Sequence, residues 1–180
     1  GTFTRAEITA PGALLDYAEL TQKSDLKHLA RPQSVRTSSV MVIDPATRRN
    51  LELTRTLSGE RQGSLLATID RTMTGAGARL LAARLVAPLT DVAAIDKRLD
   101  AVAFMVSANA LRDMLREALK QSPDLERALA RLALNRGGPR DLASVRDAIK
   151  QAEKMRGALL AVKLPEDLHN ECGDLGEHHT

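Results

Sequence analysis

Aromatic residues are nearly missing from this 180-residue chain: Phe3, Tyr17 and Phe104 are the whole set, and there is no Trp. A β-sandwich core, which leans on aromatic and β-branched side chains, is a poor match for that palette. There is a single cysteine, Cys172, so no intramolecular disulfide can form and a reducing, cytoplasmic setting is expected. Apolar runs are only a few residues long, as at Ala158 to Val162, so no segment is long enough to span a bilayer. The amino terminus has no basic stretch followed by an apolar one, so no signal peptide is read. It opens on Gly1-Thr2-Phe3 without Met and reads as a fragment of a longer protein.

The common signatures of catalysis are equally scarce. A P-loop needs Gly-x-x-x-x-Gly-Lys-Ser/Thr, because backbone amides and the lysine must surround phosphate oxygens. No Gly-Lys pair occurs anywhere. Gly75-x-Gly77 has no third glycine and no preceding strand, and reads as a helix start. Gly-x-Ser-x-Gly is absent, and His28 is the sole histidine before His169. It falls in a polar stretch and reads as a surface residue. Asp96 and Asp100 share a helix face but need further ligands to seat a metal. The carboxy-terminal set His169-x-x-Cys172, Asp174, His178 and His179 has ligand chemistry without the second half of a zinc motif. No catalytic, cofactor-binding or metal-ligating residue is therefore assigned.

What the chain does have is aliphatic residues at helical spacing. Hydrophobic residues make up 43% of it, chiefly Leu, Ala, Val, Ile and Met. Leu14, Tyr17, Ala18 and Thr21 follow Pro11-Gly12 as a short helix. Residues 22–39 are polar and irregular, a linker. Val40 to Ile43 is the best strand candidate, with Leu51 to Thr54 as a possible partner. Asp44-Pro45 reads as a cap with Pro at the first helical position. Ser64 and Thr74 begin two short helices, the second stopping before Pro88.

Four longer stripes follow. The first is Val92, Ile95, Leu99, Val102 and Val106, at steps of three and four. Leu111, Leu115 and Leu119 form the second. Leu125, Ala128, Leu129 and Leu132 form the third, behind Ser122-Pro123-Asp124. The fourth runs from Leu142 through Val145, Ile149, Ala152, Met155 and Leu159 to Val162, behind Pro139. Each stripe needs an apolar partner, since burying a Leu is worth roughly 1.5–3 kcal/mol. Short connections favour antiparallel neighbours. The expected fold is mostly α, a helical bundle or array with a short β segment near the amino terminus.

Net charge is +3 and the pI about 9.3, with both signs mixed along the chain. Arg112, Arg116 and Lys120 line one helix face, and Arg127 and Arg131 the next. Acids lie among them and no aromatic residue interleaves to stack bases. Structural ion pairing is the favoured reading, and a stand-alone basic helical DNA-binding module is the alternative. A metal-dependent enzyme using the tail is a third class. Arg48-Arg49, beside the strand candidate, reads as a brace between two segments.

The runs DPATRRNLEL (Asp44 to Leu53) and GSLLATIDRTMTGAGARLL (Gly63 to Leu81) are followed by Ala87-Pro88-Leu89-Thr90-Asp91 and Arg98-Leu99-Asp100-Ala101-Val102. DLERALARL (Asp124 to Leu132) and Pro139-Arg140-Asp141-Leu142 come next. In this order they resemble the core, or lever, region of the MutS family of DNA mismatch-repair ATPases. A Trp common in that family before Pro88 is missing; Ala83-Arg84-Leu85 stands there. The family's Phe-x-Glu mismatch wedge is not matched by Phe3-Thr4-Arg5.

The resemblance implies a division into a connector-domain remnant and linker (1–39), a partial helical core/lever domain (40–164) and a loosely ordered tail (165–180). It implies a lever that couples ATPase state to DNA grip, with the mismatch-reading, clamp and ATPase parts absent and no ATP or Mg held by this segment. The partners it implies are the remaining MutS domains, mismatched double-stranded DNA, a second copy of the parent and MutL, with no membrane. Stripes that face missing helices would leave the isolated chain prone to association.

Overall fold

The computed structural model describes residues 5–22 and 40–176. The linker reading, His28 and the pair His178-His179 lie outside the described residues. The elements are α1 (Arg5–Gln22), α2 (Pro45–Asn50), α3 (Leu65–Ile69), α4 (Gly75–Val86), α5 (Val92–Ser107), α6 (Asn109–Gln121), α7 (Leu125–Ala133), α8 (Pro139–Leu160) and α9 (Glu166–Asp174). The mostly α expectation holds. Helix α1 begins before Pro11 and runs through it, although Pro removes one interior hydrogen bond.

Side-chain caps start most of the helices. The Asp44 carboxylate accepts the backbone N–H groups of Ala46 and Thr47 at 2.9 and 3.0 Å. Ser64, wholly buried, accepts from Ala67 N–H and donates to the Arg61 carbonyl. Thr74, Asp91 and Asp124 cap α4, α5 and α7 in the same way. Each satisfies a first-turn donor that would otherwise go without a partner.

The β segment shrinks to one antiparallel bridge, Val40 with Leu89, where Met41 N–H donates to the Pro88 carbonyl at 2.7 Å. Leu51 to Thr54 is not the partner. Glu52 sits at φ +48°, a left-handed conformation that breaks an extended run. The Glu52 and Leu53 carbonyls instead receive the Leu65 and Leu66 N–H groups at the start of α3.

The core lies where α8 packs on α7 and α6, and where α5 packs on α6 and α9. Small residues sit deepest: Ala118 and Ala128 are fully buried, and Ala101 and Ala148 nearly so. Small side chains at a helix contact let the backbones approach closely, so longer neighbours close over them. Leu159 and Cys172 complete this core, while Leu53 and Leu66 anchor α3.

Two sequence readings need correction. The first concerns the stripe on α5. Leu99 is 58% exposed, Val102 59% and Val106 64%, and Val92 is exposed as well. Ala101 is the buried residue, flanked by half-buried Ile95, Arg98, Phe104 and Met105. The closest approach selects the smallest side chain, and the bulky face is left outward. The second concerns the tail. Residues 166–174 form a helix packed on α5 and α8, with Cys172 1% exposed. Leu168, Cys172 and Leu175 recur at helical spacing, and Pro165 followed by Glu166-Asp167 is a helix start. Cys172 is an apolar core residue there.

Candidate functional site

Charged side chains tie the helices at their ends. Arg79 on α4 reaches Glu126 at 2.6 Å and Asp124 at 3.6 Å, joining α4 to the start of α7. Lys97 on α5 meets Glu166 at 2.7 Å, pinning the first turn of α9. Arg131 on α7 donates through Nε and Nη2 to Asp141 on α8. Arg61 meets Asp70 at 2.7 Å across the α3 loop. The cation of each pair is about half exposed, so the pairs fix orientation more than they add stability.

Their titration follows from those contacts. The Glu126 hydrogen bond, then its charge, raises Arg79; the Glu166 hydrogen bond does the same for Lys97. Asp124 is lowered, first by the Arg127 N–H. The Thr72 hydroxyl lowers Asp70. Asp141 is lowered, first by the Arg131 hydrogen bond and then by the Gly138 N–H. A carboxylate depressed in the folded state stabilises it above its unfolded pKa, and that contribution fades as pH falls through the folded pKa. The stability gap between wild type and Asp141→Asn should therefore be constant above roughly pH 4–5 and close progressively below about pH 4. Urea midpoints across that range check this; a gap that widens toward acid contradicts it.

The basic faces read as candidate DNA contacts are engaged within the protein. Arg112 donates to the Met105 and Val106 carbonyls at the end of α5 and to Asn109 Oδ1. Arg116 donates to the Arg71 carbonyl at 3.0 Å. Arg127 pairs with Asp124, and Arg131 with Asp141. Lys120 is exposed.

The metal reading of the tail does not assemble. Cys172 is buried while His169 and Asp174 are exposed, so these side chains do not converge. Asp96 and Asp100 are both exposed on α5. Among the described residues no group of three His, Cys, Asp or Glu side chains is placed to hold an ion. At Gly75-x-Gly77 the Thr74 hydroxyl accepts the Gly77 N–H at 3.0 Å, which is a helix cap.

An open apolar groove of about 810 Å³ lies between α4, α5, α6, α8 and α9. Met105, Leu115, Leu119, Met155 and Leu168 line it, with the exposed Val102 and Val106 on its rim. Arginines 84, 98 and 112 stand around it with Asp167 and Glu171, and no nucleophile–base pair lies among its lining residues. A second groove, about 490 Å³, opens beside α2. It is lined by Pro45, Arg48, Arg49 and the loop Thr54 to Gly59, and most of its exposed wall is apolar.

Capped helices crossing on alanines, ion pairs near helix ends and an exposed apolar face on α5 make up an all-helical segment. The family model of MutS domain III matches residues 46–178, and the chain belongs to that family. It is 52% identical over 175 residues to the DNA mismatch repair protein MutS of Ruegeria pomeroyi, covering 97% of this chain and 20% of that protein. The protein of the same name from Nitrobacter winogradskyi is 54% identical over 164 residues, 91% of this chain and 18% of the relative. That of Rhodopseudomonas palustris strain HaA2 is 58% identical over 151 residues, 84% and 17% respectively. The chain thus spans about a fifth of the length of the curated relatives it matches. Among the described residues no helix is long and apolar enough to cross a membrane.

Proposed function

We propose that this chain is the lever segment of a DNA mismatch-repair protein, relaying nucleotide state at a distant ATPase to DNA grip elsewhere in the polypeptide. The observation that carries the reading is the MutS domain III match over residues 46–178. The packing supports it physically. Close-packed helices resist continuous deformation, so a small displacement at one end moves the other. The alanine contacts of α6, α7 and α8 and the end-to-end ion pairs favour motion as a body.

On this reading the connector remnant is 1–39, the lever 40–164, and α9 extends the lever packing beyond that boundary. Mismatched duplex, a second copy of the parent and MutL are partners of the whole protein, acting in the cytoplasm. ATP and magnesium belong to its ATPase part, and this segment supplies no catalytic, cofactor-binding or metal-ligating residue. The purified chain should release phosphate from ATP no faster than a denatured control. Turnover that survives repurification and exceeds that control refutes the assignment. The rival reading, a DNA-binding module built on the arginines of α6 and α7, is disfavoured because Arg112, Arg116, Arg127 and Arg131 are already engaged.

A further inference from the structure

Two methionines line the open apolar groove, Met105 from α5 and Met155 from α8. Met41, Met73 and Met114 are not among its lining residues. Both groove methionines are half-buried, so solvent reaches them while they rest on apolar neighbours. Helix α9 contributes Leu168 and Leu175 to the same groove. It packs on α5 and α8, the two helices that carry these methionines. The hold on α9 is chiefly apolar. Its N-cap residue is Pro165, so its first turn has no side-chain cap. The Lys97–Glu166 pair is at least half exposed on both sides, and such a pair adds little. Cys172, 1% exposed, is the deepest side chain of α9.

A thioether in contact with solvent reacts with hydrogen peroxide. The sulfur attacks one peroxide oxygen, the S–O bond forms as the O–O bond breaks, and the proton of the transferred hydroxyl passes to the departing oxygen, which leaves as water. Sulfur loses two electrons and the peroxide gains them. A flexible apolar side chain becomes a polar one, a change that disrupts methionine-containing contacts. A sulfoxide set among Leu115, Leu119 and Leu168 must keep its oxygen hydrated, and water drawn into the groove undoes the apolar contact beneath α9. We propose that Met105 and Met155 form an oxidant-sensitive catch: peroxide converts them to sulfoxides, α9 comes away from α5 and α8, and Cys172 is uncovered. The catch does not depend on the lever reading and stands if that reading fails.

The single cysteine of the chain reports on the release directly. The 180-residue chain is treated with hydrogen peroxide and the excess is removed with catalase. Peptide mass spectrometry then counts sulfoxides and intact thiol, and the rate at which Cys172 reacts with an aromatic disulfide reagent is measured. Untreated chain should react slowly, because the thiol is buried. With Met105 and Met155 oxidised the rate should rise about tenfold or more, as local opening is made easier. Methionine sulfoxide reductases should restore the slow rate. Met105→Leu with Met155→Leu, a volume-conserving change, should stay slow after the same treatment. Leu at Met41, Met73 and Met114 together should give no protection. Far-ultraviolet circular dichroism should lose no more than the signal of one nine-residue helix, which separates release of α9 from general unfolding. A Cys172 rate that stays slow with both sulfoxides present overturns the proposal, as does release that persists in the Met105→Leu, Met155→Leu chain. Loss of the Cys172 thiol to peroxide before either methionine reacts also overturns it, because the thiol would then be open from the start.

Discussion

Gly137→Ala is expected to lower the stability of the helical domain by on the order of 3 kcal/mol, the upper end for overpacking, while Gly138→Ala, free of any clash but at the N-cap of α8 where glycine is preferred to alanine, costs at most about 1 kcal/mol. The two glycines are adjacent in the turn from α7 to α8, yet their surroundings differ. A Cβ on Gly137 would stand 2.5 Å from Leu132 Cδ2, 2.8 Å from its Cγ and 2.9 Å from its Cα. A side chain can rotate away, but the Leu132 backbone cannot, because it is held in a hydrogen-bonded helix end. Asn135 takes φ +53°, its N–H donates to the Leu132 carbonyl, and the Arg136 N–H reaches back to the Arg131 carbonyl. That is a Schellman closure with asparagine in the left-handed position. A Cβ on Gly138 meets nothing within 4 Å.

For a domain of this size the Gly137 change corresponds to a fall of roughly 6–12 °C in Tm. Thermal melts followed by circular dichroism at matched concentration measure it. Equal Tm values for wild type and Gly137→Ala would show that the corner relaxes freely. Arg131→Ala, by contrast, removes a half-exposed ion-pair partner from the same corner and should shift Tm less than Gly137→Ala does.

That corner illustrates what could be read in advance. Asn135-Arg136-Gly137-Gly138-Pro139 is legible as a stop and a restart, since Asn, Gly and Pro each carry a backbone preference. Which glycine is indispensable is not, because the answer depends on where Leu132 lies in space. The helices from 64 to 162 are legible for the same reason: Ser64 and Thr74 mark two starts, and Ser122-Pro123-Asp124 marks a third, although Asp124 and not Ser122 is the capping residue. The facing of α5 is not. Periodicity weighs side chains by hydrophobicity, whereas the close approach of α5 to its neighbours selects small Ala101. Helix α9 is hard to read because Pro165 and Gly173 bracket it as loop residues and its apolar stripe is only Leu168, Cys172 and Leu175.

The misread face of α5 carries the largest functional expectation. Leu99 and Val102 are more than half exposed, on a helix whose other side is packed. Full burial of such side chains is worth roughly 1.5–3 kcal/mol each. If the chain acts as the proposed lever it must grip what it moves, and the exposed apolar face of α5 is the place for that grip. Leu99→Gln with Val102→Gln keeps good helix formers on α5, so the isolated chain should melt within about 0.5 kcal/mol per substitution of wild type and bind less of an apolar dye. In the full polypeptide the same pair should slow ATP-driven release of duplex DNA at least tenfold, which needs a loss of only about 1.4 kcal/mol in coupling. ATP hydrolysis itself should stay within about twofold, because these residues touch no nucleotide on this reading. Stopped-flow release of labelled duplex, run beside steady-state phosphate production, separates the two. If release keeps its wild-type rate while dye binding falls, the outward face of α5 is a surface without a mechanical task. The relay would then have to run through α8 and the crossings at Ala118 and Ala128.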